Sequence, residues 1–144
     1  MKRVNIRTLD CGVRVAMEKI PHVNSAAIGI WVKNGAVDET PEVAGISHFI
    51  EHMMFKGTKK RRAWHIINRM ETVGGDLNAY TNKEETVVYS AFLTEHFPRA
   101  VELLTDIVFH STFPQSEIDK EVEVIIDEIQ SYEDSPSELI FDDF

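Results

Sequence analysis

His48, Glu51 and His52 stand within "HFIEH", residues 48–52, inside the otherwise apolar stretch "AGISHFIEHMMFKG". On a helix at 100° per residue, with His48 at 0°, Glu51 falls at 300° and His52 at 40°. The three share one arc, while Ile46, Phe49, Ile50 and Met53 fill much of the remaining circumference. Such a helix is apolar where it packs and carries one polar stripe. An unpaired carboxylate buried beside two imidazoles costs several kcal/mol. A divalent cation removes that cost, because histidines at i and i+4 reach one zinc from adjacent turns. Glu51 then stands beside the metal, free to take a proton from water. The bland alternative is a helix whose histidines only hydrogen-bond locally.

The triplet has the order of the inverzincin motif, and two histidines leave a catalytic zinc one protein ligand short. Residues 116–133 supply candidates. Ile118, Val122, Ile125, Ile129 and Tyr132 predict an apolar stripe on a long helix, with Glu121 and Glu128 together at its edge. Glu117, Glu123 and Asp127 read as solvated charge. Glu121 and Glu128 are two turns apart, ~10.5 Å of axial rise. One would therefore be the ligand and the other a supporting residue, and spacing alone leaves open which.

The elements that must position these groups follow from periodicity. "VNIRTL", "VRVAMEKI" and "SAAIGIWVKNG" predict three strands. A helix from about Val43 to Lys56 follows, with Gly57 as its C′ residue. "AWHIINRMETV" predicts a second helix closed by Gly74 and Gly75. "LNAYT" and "ETVVYSAF" predict two strands joined by the turn "NKEE". "TEHFPRAVELLTDIVFHS" is amphipathic through Phe97, Val101, Leu104 and Val108. Pro114 introduces the long helix to Glu133, and Ser135 with Pro136 would begin another. This order predicts an α+β fold, an antiparallel sheet with helices packed on one face.

The chain has 144 residues and 43% apolar content, enough for one domain with a core. Its net charge of -9 is uneven: 13 acidic and 14 basic residues precede Glu117, whereas residues 117–144 hold 11 acidic residues and only Lys120. That distribution argues against nucleic acid as a partner. "KGTKKRR" reads as a solvated helix entry. No apolar run reaches a membrane span and the N-terminus lacks a signal-peptide core, so an unexported, cytoplasmic protein that does not engage the membrane is expected. Cys11 is the only cysteine, which excludes an internal disulfide and a cysteine zinc cluster. His22, His65, His96 and His110 read as surface or capping residues, and Trp31 and Trp64 as core or rim packing. The chain stops inside "LIFDDF", which suggests that it continues.

Three segments together resemble the pitrilysin family of zinc peptidases, and within it bacterial homologues of the mitochondrial processing peptidase β-subunit. "GISHFIEHMMFKGT" is similar to the family's zinc helix. "VGGDLNAYTNKEETVVYSAF" is similar to its glycine-led strand pair, and "EVEVIIDEIQSYEDSPSELIFDDF" to its distal glutamate helix. The resemblance implies a processing-peptidase-like half-domain with His48, His52 and Glu128 as ligands of Zn2+. Glu128 lies 76 positions after His52, the family's spacing for the distal ligand. It implies Glu51 as general base, Glu121 in a supporting role, and Asn78 and Ala79 as holders of an extended peptide by strand addition.

The implied activity is zinc-dependent endopeptidase hydrolysis with a zinc-bound water as nucleophile. Full-length family members are several times longer, and their second half supplies an Arg and Tyr pair that nothing in this chain matches. Residues 1–144 are thus expected to be the N-terminal zinc-binding part, incomplete at its C-terminal end, of a peptidase with a second homologous domain or subunit. A catalytically silent recognition subunit is the alternative, and such relatives lose part of the zinc motif. A thioether-cleaving zinc enzyme of the same fold is disfavoured, because no cysteine follows Cys11 to act as its ligand.

Overall fold

The computed structural model describes residues 4–135. Two short strands open the chain, β1 (Asn5–Thr8) and β2 (Arg14–Met17). They form a separate antiparallel hairpin with Asn5 opposite Met17, turning through Gly12 at φ 88°. Both strands are exposed along their whole length. Three longer strands form the main sheet: β3 (Ser25–Val32), β4 (Asp76–Thr81) and β5 (Thr86–Leu93). Their order is β3-β5-β4, antiparallel throughout, so β4 is an edge strand.

Register decides which side chains face the helices. Ala26, Ile28 and Ile30 of β3 lie opposite Phe92, Ser90 and Val88 of β5, which in turn oppose Leu77 and Ala79 of β4. These residues share one face, as the two-residue period of a strand requires. Three helices cover that face or its margin: α1 (Ile46–Met54), α2 (Ala63–Glu71) and α3 (Phe97–His110). Met54, Ile66, Met70, Val88, Phe92, Ala100, Leu103, Leu104 and Ile107 make the buried core. The expected α+β arrangement, helices on one face of an antiparallel sheet, is what the chain adopts. Trp31 lies elsewhere, 61% exposed with its ring against Gly29, and Trp64 is exposed too, so neither belongs to the core.

Element boundaries differ from the periodicity in instructive ways. The first helix starts at Ile46 and not Val43, because Gly45 is left-handed at φ 87° and Pro41–Val43 form a separate 3-10 turn. The helix ends at Phe55, so Gly57 lies beyond its C′ position, at φ 154°, and opens a bridge to Arg62. Gly74, at φ 69°, follows α2 as expected. The long helix α4 spans Gln115–Glu133 and packs against α1. Its expected apolar stripe is not a core face. Val122 and Ile129 are exposed, and Glu121 is buried. The helix expected from Pro136 onward lies outside the described residues.

Candidate active site

Helix α1 delivers the first two groups. Its left-handed entry at Gly45 is fixed by Glu39, whose carboxylate accepts from the Gly45 and Ser47 amides at 2.6 and 2.7 Å. These bonds occupy orphan donors at the helix start. Those amide bonds, set against the cost of burial, hold the Glu39 carboxyl below its ordinary pKa. One turn on, His48 and His52 project from the same side, and their Nε2 atoms stand 3.0 Å apart.

Helix α4 brings the carboxylates. Glu128 Oε2 lies 3.8 Å from His48 Nε2 and 3.7 Å from His52 Nε2. One donor atom from each of His48, His52 and Glu128 falls within 4.8 Å of the others. Glu121, two turns earlier, accepts from His52 Nδ1 at 2.9 Å on the far side of the ring. Its other oxygen accepts from Lys56 Nζ at 2.5 Å. Burial raises the pKa of Glu121, but Lys56 and the His52 ring outweigh it and hold the carboxyl below its ordinary value. A carboxylate only accepts, so the proton of the neutral His52 ring sits on Nδ1 and its Nε2 presents a lone pair. That lone pair points to where His48 Nε2 and Glu128 Oε2 converge.

The donor set fits a zinc ion. Ligand atoms on a tetrahedral zinc with bonds near 2.0–2.1 Å are ~3.3 Å apart, close to the 3.0, 3.7 and 3.8 Å found here. Two imidazoles and a carboxylate are zinc ligands by chemistry, and a carboxylate on the outer nitrogen of a ligating histidine is its usual support. Charge agrees as well. Glu51 and Glu121 share the cavity with Lys56 and Glu128 adjoins His52, so a dication brings three carboxylates and one ammonium to neutrality.

Glu51 is half-buried and lines an open cavity of about 240 Å³ with His52, Phe55, Lys56, Asn78, Ala79 and Glu121. The expected base and the expected peptide-holding residues therefore meet in one hollow. On the β4 side, the hairpin closes with the Asn82 amide on the Glu85 carbonyl at 3.0 Å. Hydrogen-bonded and non-bonded pairs alternate from there, so Ala79, three residues back, is non-bonded to its partner Val88. Its N–H and C=O face the free edge. The Ala79 N–H donates to the Asn78 side chain at 2.9 Å.

The seven residues singled out from the sequence thus gather at one place: the two imidazoles with Glu121 and Glu128 against them, and Glu51, Asn78 and Ala79 at the cavity wall. Two features escaped the sequence reading. Lys56 was an undistinguished member of a basic run. Arg61 of the same run is mostly buried, bound by both oxygens of Glu102 at 2.6 and 2.7 Å and by Asp106. Thr58 Oγ1 donates to the same Asp106 at 2.7 Å. This network clasps the turn after α1 to α3. The visible signal was Asp106 itself, an acid three residues from Leu103 on the buried side of α3.

Comparison with known proteins gives the chain a family. Residues 14–144 match the family model described as Insulinase (Peptidase family M16). The chain belongs to the insulinase family of peptidases. Among its relatives is an uncharacterized zinc protease of Bacillus subtilis (strain 168), 46% identical over 135 residues, covering 94% of this chain and 33% of that protein. An uncharacterized zinc protease of Rickettsia bellii (strain RML369-C) is 42% identical over 140 residues, covering 97% of this chain and 34% of its own length. The crystal structure of a protease from Helicobacter pylori superposes with a TM-score of 0.93 at 22% identity, over 97% of this chain and 34% of that one. That likeness shows the fold. The insulinase-family chain described here spans about a third of the length of these relatives. The pitrilysin resemblance and this match point to one family of zinc peptidases.

Proposed function

We propose that this chain is the zinc-holding part of an endopeptidase that hydrolyses extended peptides. The observation that carries the reading is the convergence of His48, His52 and Glu128 with Glu121 behind His52. His48, His52 and Glu128 would hold the ion, and Glu121 would keep the His52 lone pair turned inward. When bound, zinc supplies a Lewis acid that polarises the scissile carbonyl and makes water nucleophilic near neutral pH. Glu51, beside His52 at the cavity wall, accepts the proton of that water and returns it to the leaving amine. The free edge of β4 accepts the substrate as an added strand, with Ala79 offering main-chain groups and Asn78 a side-chain amide. Main-chain pairing gives affinity with little sequence reading, which suits an enzyme that takes varied peptides. The length of the relatives supports a second homologous domain or subunit that completes the site.

The competing reading is a silent recognition subunit. Retention of all four groups around one point favours the enzyme. Zinc content and cleavage of an internally quenched peptide by the full-length protein separate the two. One bound zinc with cleavage is expected; neither zinc nor cleavage would establish the silent subunit.

A further inference from the structure

Lys56 has no role in the chemistry described so far, yet its placement is specific. It follows α1 by two residues and lies four after His52, on the same side of the chain. Its amide donates to the Met53 carbonyl at 3.1 Å, and the next two residues are held by bridges, Gly57 to Arg62 and Thr58 to Ser111. The stem therefore leaves a fixed backbone. The side chain is 28% exposed, low for a lysine, and its ammonium reaches Glu121 Oε2 at 2.5 Å. Glu121 Oε1 faces His52 Nδ1 at 2.9 Å. One carboxylate is thus gripped at both oxygens, by a ligand histidine on one side and by Lys56 on the other.

We infer that Lys56 is a positioning residue for the metal centre, acting through Glu121 to fix the orientation and tautomer of His52. This rests on the proposed zinc site. A carboxylate held only by His52 can rotate about its terminal torsion, which is broad. With Oε2 tied to Lys56, rotation is blocked and Oε1 stays in the plane of the imidazole N–H. The ammonium also neutralises a buried charge that the ion does not touch directly. A merely structural Lys56 would serve α1–α4 docking and leave the metal indifferent.

The test uses the full-length protein and reads metal binding, not turnover alone. Lys56→Met keeps the stem and removes the ammonium. Zinc affinity by chelator competition should fall several-fold, up to about 10-fold, the lower end of the range for losing an outer partner of a ligating histidine, because Glu121 itself stays in place. The Co2+-loaded protein should show an altered d–d absorption band, and Lys56→Arg should restore both. The Lys56→Met effect should vanish on a Glu121→Gln background, since the lysine acts only through that carboxylate. If Lys56→Met fails to fold, Lys56→Leu, which also lacks a donor, carries the same expectation. Wild-type affinity and an unchanged Co2+ band in a folded variant would overturn the inference, as would a full effect on the Glu121→Gln background. A wild-type protein that binds no zinc would instead overturn the proposed site itself.

Discussion

Glu51→Gln separates the base from the ligands. Glu51 stands outside the group of donor atoms formed by His48, His52 and Glu128, and it lines the cavity that opens toward Asn78 and Ala79. Glutamine has the same shape, so the substitution removes proton-accepting ability and little else. A positioned general base contributes about 10²–10⁴ in rate, which is roughly 2.7–5.5 kcal/mol of barrier. The full-length variant should therefore hold zinc at the wild-type stoichiometry and cleave a quenched peptide at least 100-fold more slowly. The KM should move little, because Glu51 acts on the proton and the peptide is held at the β4 edge. Metal content by atomic spectroscopy and initial rates across substrate concentrations give both numbers. Zinc lost together with activity would make Glu51 a ligand and refute the assignment. Zinc kept with activity within tenfold of wild type would remove it from the chemistry.

Three further substitutions probe the scaffold. Asn78→Ala should lower kcat/KM about 2- to 12-fold, the worth of one neutral hydrogen bond at roughly 0.5–1.5 kcal/mol, with Tm unchanged. Unchanged or raised activity would mean that Asn78 only occupies the Ala79 N–H on the free edge. Asp106→Asn leaves Thr58 and Arg61 an amide oxygen to donate to but removes the buried negative charge, and should cost about 1–3 kcal/mol, since Arg61 keeps Glu102. Burial raises the pKa of Asp106, but Thr58 and Arg61 outweigh it and hold the carboxyl below its ordinary value. A lowered folded pKa gives stability that is complete above the unfolded value of about 3.9 and drains away as pH falls through the folded one. The Tm gap between wild type and variant should thus hold from pH 5 to 7 and close below pH 4; a constant gap would contradict the sign. Gly35→Ala would put a Cβ 2.5 Å from the Asn82 carbonyl oxygen and 2.7 Å from the Glu85 nitrogen. Both are backbone atoms of the β4–β5 turn, so overpacking of about 1–3 kcal/mol is expected in chemical denaturation, and a neutral result would show that the turn yields freely.

Local pattern carried the sequence reading a long way, and its failures have physical causes. The strands of the main sheet and helices α1, α2 and α3 were visible as periods of two or of 3.6, because each buries one face on the same core. The stripe along α4 was misjudged for the same reason. A helical wheel shows where apolar residues lie, not whether anything faces them, and here Val122 and Ile129 face outward while Glu121 is buried. Glu121 and Glu128 were indistinguishable by spacing, since only their partners on α1 give them different tasks. "KGTKKRR" read as solvated charge because composition cannot show that Arg61 meets Glu102 and Asp106 from a helix 40 residues later. His48, Glu51 and His52 were legible because their partners are within one helical turn of each other.

The exposure of α4 also explains why a buried acid stands at its centre. Among the described residues of α4, only Glu121 is fully buried, and Ile118 and Ile125 are half-buried. Apolar contact with α1 would tolerate a slip along or around the axis, since one aliphatic side chain replaces another at small cost. A carboxylate bound at both oxygens does not tolerate it. A shift by one residue turns the helix by 100°, withdraws Glu121 from Lys56 and His52, and leaves a buried charge unpaired. The same shift swings Glu128, one heptad on and within ~20° of the same face, away from His48 and His52. The Glu121 contact therefore need contribute little net stability to be decisive. Its consequence is register, and register is what holds a carboxylate two turns away against a pair of imidazoles on another helix.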